Sequence, residues 1–183
     1  EGQPLPKLTF EHLNPVKLNA SDIIIERNFT PSQEHQKLVS MMPVAHEDAL
    51  QTYIEKRFLE SGGEGVLMIS IDRSDVSRME LKPQSGLSRL FGINTRQKYD
   101  VTLNVGVRLQ RSPGTPFLTS DITANRTLIL PENISLAEKD AKQLEMIEEL
   151  VNEIDGAMTR SFDQTFGIVL DPQDLRSASP EMR

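Results

Sequence analysis

The sequence predicts an α+β domain. A single antiparallel sheet, mixed at most along one edge, would carry a first helix of about 16 residues and a long C-terminal helix on one face, in the order β-α-β-β-β-α. Three observations predict it. Residues 98–110 alternate without a break: Tyr99, Val101, Leu103, Val105, Val107 and Leu109 share one face, and polar side chains or glycine fill the other. Such a period of two marks a strand with one face on a core and one in water. Further on, Leu144, Ile147, Val151, Ile154, Met158 and Phe162 recur at three- and four-residue spacing, the stripe of an amphipathic helix. Finally, 183 residues suffice for one hydrophobic core and suggest no second.

Residues 1–15 carry Pro4, Pro6 and Pro15 with little periodicity and read as a tether or edge segment. The first strand is expected over 21–29, with Ile23, Ile25 and Phe29 on one face. Arg27 falls on that face too, which places it near the sheet edge, stem buried and head wet. A loop from Thr30 to Pro43 then leads to a helix over 46–61. Leu50, Ile54 and Phe58 recur there every four residues, and Ser61-Gly62-Gly63 ends it, because glycine accepts the left-handed closing conformation. Residues 66–71 are apolar on both faces, as in a covered central strand, and continue in weaker form through 78–81.

Beyond the strand at 98–110, a turn over 111–116 leads to a return strand marked by Leu118, Ile122, Ala124, Leu128 and Leu130. Ser120 and Arg126 interrupt its apolar face, which suggests a curl or bulge. Pro131 closes that strand. Ser135, with Glu138 three residues on, is a capping box opening the long helix, and Gly156 inside its pattern suggests close packing. Phe166, Ile168, Val169 and Leu170 form an apolar coda expected to dock back or add an edge strand. Residues 171–183 are polar and patternless, as in a disordered tail, leaving 16–170 as the domain. A right-handed crossover is expected to place the first strand between later ones.

The composition excludes much chemistry. There is no cysteine, which removes disulfides, thiol nucleophiles, thiolate zinc sites and iron–sulfur clusters. Lys and Arg number 20 against 27 Asp and Glu, for a formal charge of −7, an unfavourable balance for a nucleic-acid partner. Histidine occurs only at 12, 35 and 46, and of these only His46 lies in a predicted element. Gly62-Gly63-Glu64-Gly65 lacks the spacing of a phosphate loop. Glu64, Asp72 and Asp75 lack that of a calcium loop. Glu47 and Asp48 are accounted for by the positive end of a helix dipole. No catalytic residue, cofactor or metal is therefore expected. No apolar run approaches the roughly 18 residues of a membrane span.

The strongest surface signal lies between the predicted strands, over 82–97. Leu87, Leu90 and Phe91 recur at i, i+3 and i+4, with Arg89 and Arg96 beside them and Lys82 and Lys98 at the ends. One reading folds this segment back as a lid on the sheet end. The other makes it a partner-binding knob, formed by Leu87, Arg89, Leu90, Phe91 and Arg96, for a protein or an anionic membrane face.

Four stretches carry a family resemblance: LPKLTF from Leu5, the run from Pro43-Val44 to Tyr53, FGINTRQKYDVTLNVGVRL from Phe91, and LPENISLAEKD from Leu130. Together they resemble small, mostly uncharacterised cell-envelope lipoproteins of Gram-negative bacteria. More distantly, the chain is similar to auxiliary lipoproteins of envelope ABC transport systems. The resemblance implies export to the periplasm, a lipidated cysteine upstream of residue 1, and a non-catalytic role binding an envelope protein or a lipid-like ligand, such as that of a transport accessory. The chain starts at Glu1 rather than methionine, as a processed or a trimmed form would. Two other classes remain open: a hydrolase using an unrecognised carboxylate site, and a structural homo-oligomeric envelope module.

Overall fold

A computed structural model of the protein describes residues 8, 10, 12–83, 86 and 95–176. Its organising element is the alternating strand β5 (Arg96–Gln110), whose six alternating apolar side chains all face the core. Strands β4 (Val66–Leu81) and β6 (Leu118–Pro131) pair with it on either side, both antiparallel. β4 runs unbroken through a polar middle that shows no alternation in sequence. The reason is a bulge: its register against β5 slips between Ile71 and Arg73. Leu67, Ile69 and Ile71 point inward before the slip, and Ser74 and Val76 after it, so the inward phase changes from odd to even residues. β6, in contrast, pairs along its whole length without the bulge that Ser120 and Arg126 suggested. The Ser120 hydroxyl instead meets that of Ser161 at 2.9 Å, and Arg126 reaches two glutamates of the long helix.

The expectation of one antiparallel sheet is overturned. β2 (Asp22–Arg27) joins β4 in parallel and completes a mixed four-stranded sheet in the order β2-β4-β5-β6, so the early strand lies at an edge rather than between later ones. A second, two-stranded parallel sheet joins β1 (Val16–Leu18) to β3 (Phe58–Glu60). β3 was hidden because Phe58 continues the four-residue series of Leu50 and Ile54. The chain nevertheless leaves the helical region at Phe58 (φ −114°, ψ 122°) and pairs with β1.

The helices differ too. α1 (Gln33–Val39) occupies the expected loop, its first turn closed by the Ser32 hydroxyl accepting from the His35 amide at 3.1 Å. α2 (His46–Arg57) is shorter than expected. The described order is thus β1-β2-α1-α2-β3-β4-β5-β6-α3, with α3 (Leu136–Arg160) rising about 37 Å. Ser135 caps α3 through the Glu138 amide at 3.2 Å, and Ile147, Leu150, Val151 and Ile154 are fully buried in the core they share with the sheet. Gly156 is not at a close approach: a Cβ there would meet only the tip of Arg160, at 3.4 Å.

The sheet has two distinct ends. At one, β4 begins and the described chain enters: the Ser21 amide bonds Gly65, and Asn14 bonds Arg176. There Val169 bridges Leu18, and Phe166 and Ile168 are buried. A buried guanidinium ties these segments together. Arg57 grips Asp155 through Nε at 3.0 Å and Nη2 at 3.4 Å, and its Nη1 donates to the carbonyls of Asn14 and Asp174. At the opposite end β4 and β5 are joined, Leu81 facing Arg96.

Candidate functional site

Three of the places that gather polar or exposed apolar groups in the described structure bear on function. The first is buried. Glu47, in the first turn of α2, accepts His35 Nε2–H from α1 at 3.2 Å on each oxygen, and the Ser74 hydroxyl of β4 at 3.0 Å. The Val76 amide donates to His35 Nδ1 at 3.1 Å, which fixes the proton on Nε2. Burial alone would raise the Glu47 carboxyl. Its own backbone amide, His35 and Ser74 outweigh this and hold it below its usual range. Serine, histidine and glutamate thus meet, but not as a nucleophilic relay: Ser74 donates to the acid, and neither nitrogen of His35 is turned to accept its proton. The cluster instead fastens both short helices to β4. Beside it lies His46, both ring nitrogens unpartnered. Burial, with a smaller contribution from His35 and against the attraction of Glu47, lowers its imidazole to about 4.

The second place is the uncovered face of the sheet. The bulge lays the Asp72 carboxylate over Gly106, where a Cβ would come within 2.5 Å of it and 3.0 Å of the Ser70 hydroxyl. Asp121, paired with Gly106 across β6, accepts from Asn104 at 3.1 Å. Asn28, Ser70, Asp72, Gly106, Arg108, Thr119 and Asp121 line a shallow depression of about 400 Å³. Elsewhere on this face the polar groups satisfy one another across strands, as in Thr102 with Asn125 at 2.8 Å and Thr127 with Asp100 at 2.6 Å.

The third place is the joined end of β4 and β5. Of the residues the sequence singled out, Leu87, Arg89, Leu90 and Phe91 lie outside the described residues. Arg96 opens β5, exposed, between Leu81 and Pro131. Pairing adds two neighbours that sequence reasoning missed. Met79 and Ile129 stand on either side of Lys98 in one cross-strand row and are 58% and 45% exposed. Each is a large apolar residue on an otherwise polar face, and that was the available signal; only the register shows that they share a row. Around the corner Leu136 is 70% exposed and, with Tyr99, Leu130, Ile134 and Lys139, lines a cavity of about 210 Å³.

Among the described residues no helix is long and apolar enough to cross a membrane, and no group of three or more His, Asp or Glu is placed to hold a metal ion. No family model matches the chain, and no curated protein matches it in sequence. Among solved structures it is similar to a minor lipoprotein from Acinetobacter baumannii, at 10% identity and a TM-score of 0.36, over 87% of this chain and 97% of the other. It is also similar to rare lipoprotein B from Shewanella oneidensis, at 15% identity and a TM-score of 0.35, over 76% and 95%. A third likeness is to a neuraminyllactose-binding hemagglutinin homolog from Helicobacter pylori, at 7% identity and a TM-score of 0.45, over 88% and 94%. The chain is thus distantly similar to bacterial lipoproteins, and no specific family follows.

Proposed function

We propose that this chain is a non-catalytic accessory domain of the bacterial envelope that engages a protein partner through the joined end of β4 and β5. The observation that carries this is the row Met79–Lys98–Ile129, two large apolar side chains held in water by rigid strands. The connection they flank adds to it: from Lys82 to Lys98 the sequence has four cations and no acid. Leu87, Arg89, Leu90, Phe91 and Arg96 belong to this surface in the proposal. A cation-ringed apolar patch fits a partner surface that is apolar at its centre and acidic at its rim.

Geometry favours a protein over a lipid-like ligand. A carrier needs an enclosed apolar cavity of about 300 Å³ or more. The residues of α3 that face the sheet are fully buried within one packed cluster, and the hollow of about 370 Å³ beside Ile23, Ile25, Phe58 and Leu59 is open and flanked by Glu55 and Glu60. Position matters as well. Sixteen residues of β4 separate the chain's entry from the joined end, about 50 Å at strand rise. In the proposed setting a lipidated cysteine upstream of residue 1 holds the first end at a membrane, and the second end reaches into the periplasm.

Photocrosslinking in cells tests this reading. A crosslinking residue at Met79 or Ile129 is expected to give one discrete adduct, and one at Thr102, in mid-sheet, none. Met79→Ser with Ile129→Ser should abolish an adduct formed from Arg96 while leaving the melt within about 1 kcal/mol, because both side chains are exposed. Equal labelling from Thr102, or no adduct at the joined end, would overturn it.

A further inference from the structure

β6 is, among the described residues, the last strand of its sheet, paired with β5 alone. Among the described residues, no backbone hydrogen bond joins 118–130 to any element other than β5. No other described strand pairs with the outer edge of β6, and within the strand the Asn125 carbonyl accepts from the Arg126 guanidinium at 2.8 Å. Proteins usually blunt such an edge with a short strand, a bulge, proline or lysine. β6 has none of these before Pro131: it is 14 residues long and regular in register, with Asp121 and Arg126 as its only charges. Arg126 points inward, but it is drawn onto α3 by Glu153 at 2.6 Å and Glu149 at 3.6 Å. The other outer strand, β2, has only six residues, and its Ile23 amide is taken by Glu60 at 3.2 Å.

What lies beside the edge selects the occupant. Between β6 and α3 runs a groove lined by Arg126, Leu128, Lys142, Glu145, Met146 and Glu149. Glu145, Glu149 and Glu153 follow one another at four-residue spacing along that flank of α3, all well exposed. Arg126 and Lys142 are the cations set against these three acids. A second copy of the chain, paired edge to edge about a twofold axis, would bring two such glutamate rows together.

We infer that the edge of β6 from Ser120 to Leu128 is a strand-addition site for an extended, cationic segment of a partner protein. An incoming strand pairs its backbone with β6, and the side chains on its inner face lie under the glutamates of α3. Because side chains alternate between faces, a cation at every second position places every cation there. This site uses the backbone edge of β6 and the flank of α3, not the outer-face row of Met79, Lys98 and Ile129 that it adjoins, and it stands whether or not that row binds a partner.

The probe is a capped ten-residue peptide alternating lysine with valine and threonine. It is compared with its glutamate counterpart and with a version N-methylated at every residue. The lysine peptide should bind at low salt and slow exchange at the outward amides of 120–128 at least tenfold. Glu145→Gln, Glu149→Gln and Glu153→Gln together, on an exposed helix face, should keep the melting midpoint and weaken binding at least tenfold. Equal binding by the glutamate or N-methylated peptide, or unchanged exchange along β6, would overturn the inference. So would sedimentation showing that the chain already pairs with itself through β6, since the occupant would then be a second copy.

Discussion

Replacing Arg57 by methionine should be among the most damaging single changes in the molecule. The guanidinium is almost fully buried and makes a two-pronged contact with Asp155, itself 13% exposed. Methionine keeps much of the length and apolar volume but removes every donor. Asp155 is then left as a buried carboxylate whose remaining partner here is the Tyr53 hydroxyl, and the carbonyls of Asn14 and Asp174 lose theirs. Breaking one side of a buried pair costs about 3–5 kcal/mol, a large share of the roughly 5–15 kcal/mol that holds a domain together. Asp155→Leu should cost a similar amount, by stranding the charge of Arg57. The double variant should recover most of the loss and lie within about 2 kcal/mol of the wild type, because no uncompensated charge remains. Urea melts of all four proteins at pH 7.5 provide the assay, with the slopes compared to confirm one transition. Single variants that each cost under about 1 kcal/mol, or a double variant that costs the sum of the singles, would refute the reasoning.

Stability should also fall in mild acid through His46. Its folded value of about 4 lies below the ordinary 6.5, so its contribution is complete above about 6.5. It is lost as pH falls toward 4, where the unfolded chain binds a proton that the native state refuses. At about 1.4 kcal/mol per pH unit this amounts to about 3 kcal/mol, and His46→Phe should flatten that part of the profile in urea melts at pH 7 and 4.5. Within β5, Leu103→Ala should cost about 2–5 kcal/mol, whereas Thr102→Ala should cost about 0.2–1 kcal/mol through its exposed bond to Asn125; equal losses in denaturant melts would reverse the two faces. Ser135→Ala should cost about 0.5–2 kcal/mol by freeing the Glu138 amide, measured by the midpoint of the helical circular-dichroism signal.

Regular periodicity was the legible part. β5 and α3 are long enough for their spacing to dominate any local exception, and each buries the side chains its pattern assigned. The misreadings share a physical cause, a local pattern overruled by a partner distant in sequence. Phe58 fits a helix until β1 offers it a ladder. The polar middle of β4 reads as a break until β5 carries it through the bulge. Ser32 and His35 gave too short a signal for a helix of seven residues, which rests on the contacts of His35 with Glu47 and Val76. The candidate surface was half legible. Arg96 was named from sequence, but Met79 and Ile129 become neighbours only through pairing across three strands, and no spacing along one strand encodes that.

The grip of Arg57 on Asn14 and Asp174, 160 residues apart, also sets an order of events during folding. The β4–β5–β6 meander pairs through contacts between neighbours in sequence, such as Leu109 with Leu118, all within residues 66–131. Arg57 instead must wait for Asp155 and Asp174, and the Leu18–Val169 bridge closes a loop spanning most of the molecule. Contacts so far apart in sequence form slowly and late. A chain emerging from a ribosome or a translocation channel N-terminus first would therefore hold β1, β3 and the aromatic residues beside them unsealed until Asp155 and Asp174 had arrived. Protection of that region from a protease is the natural clock for completed folding, and chains shortened before Asp155 should never start it.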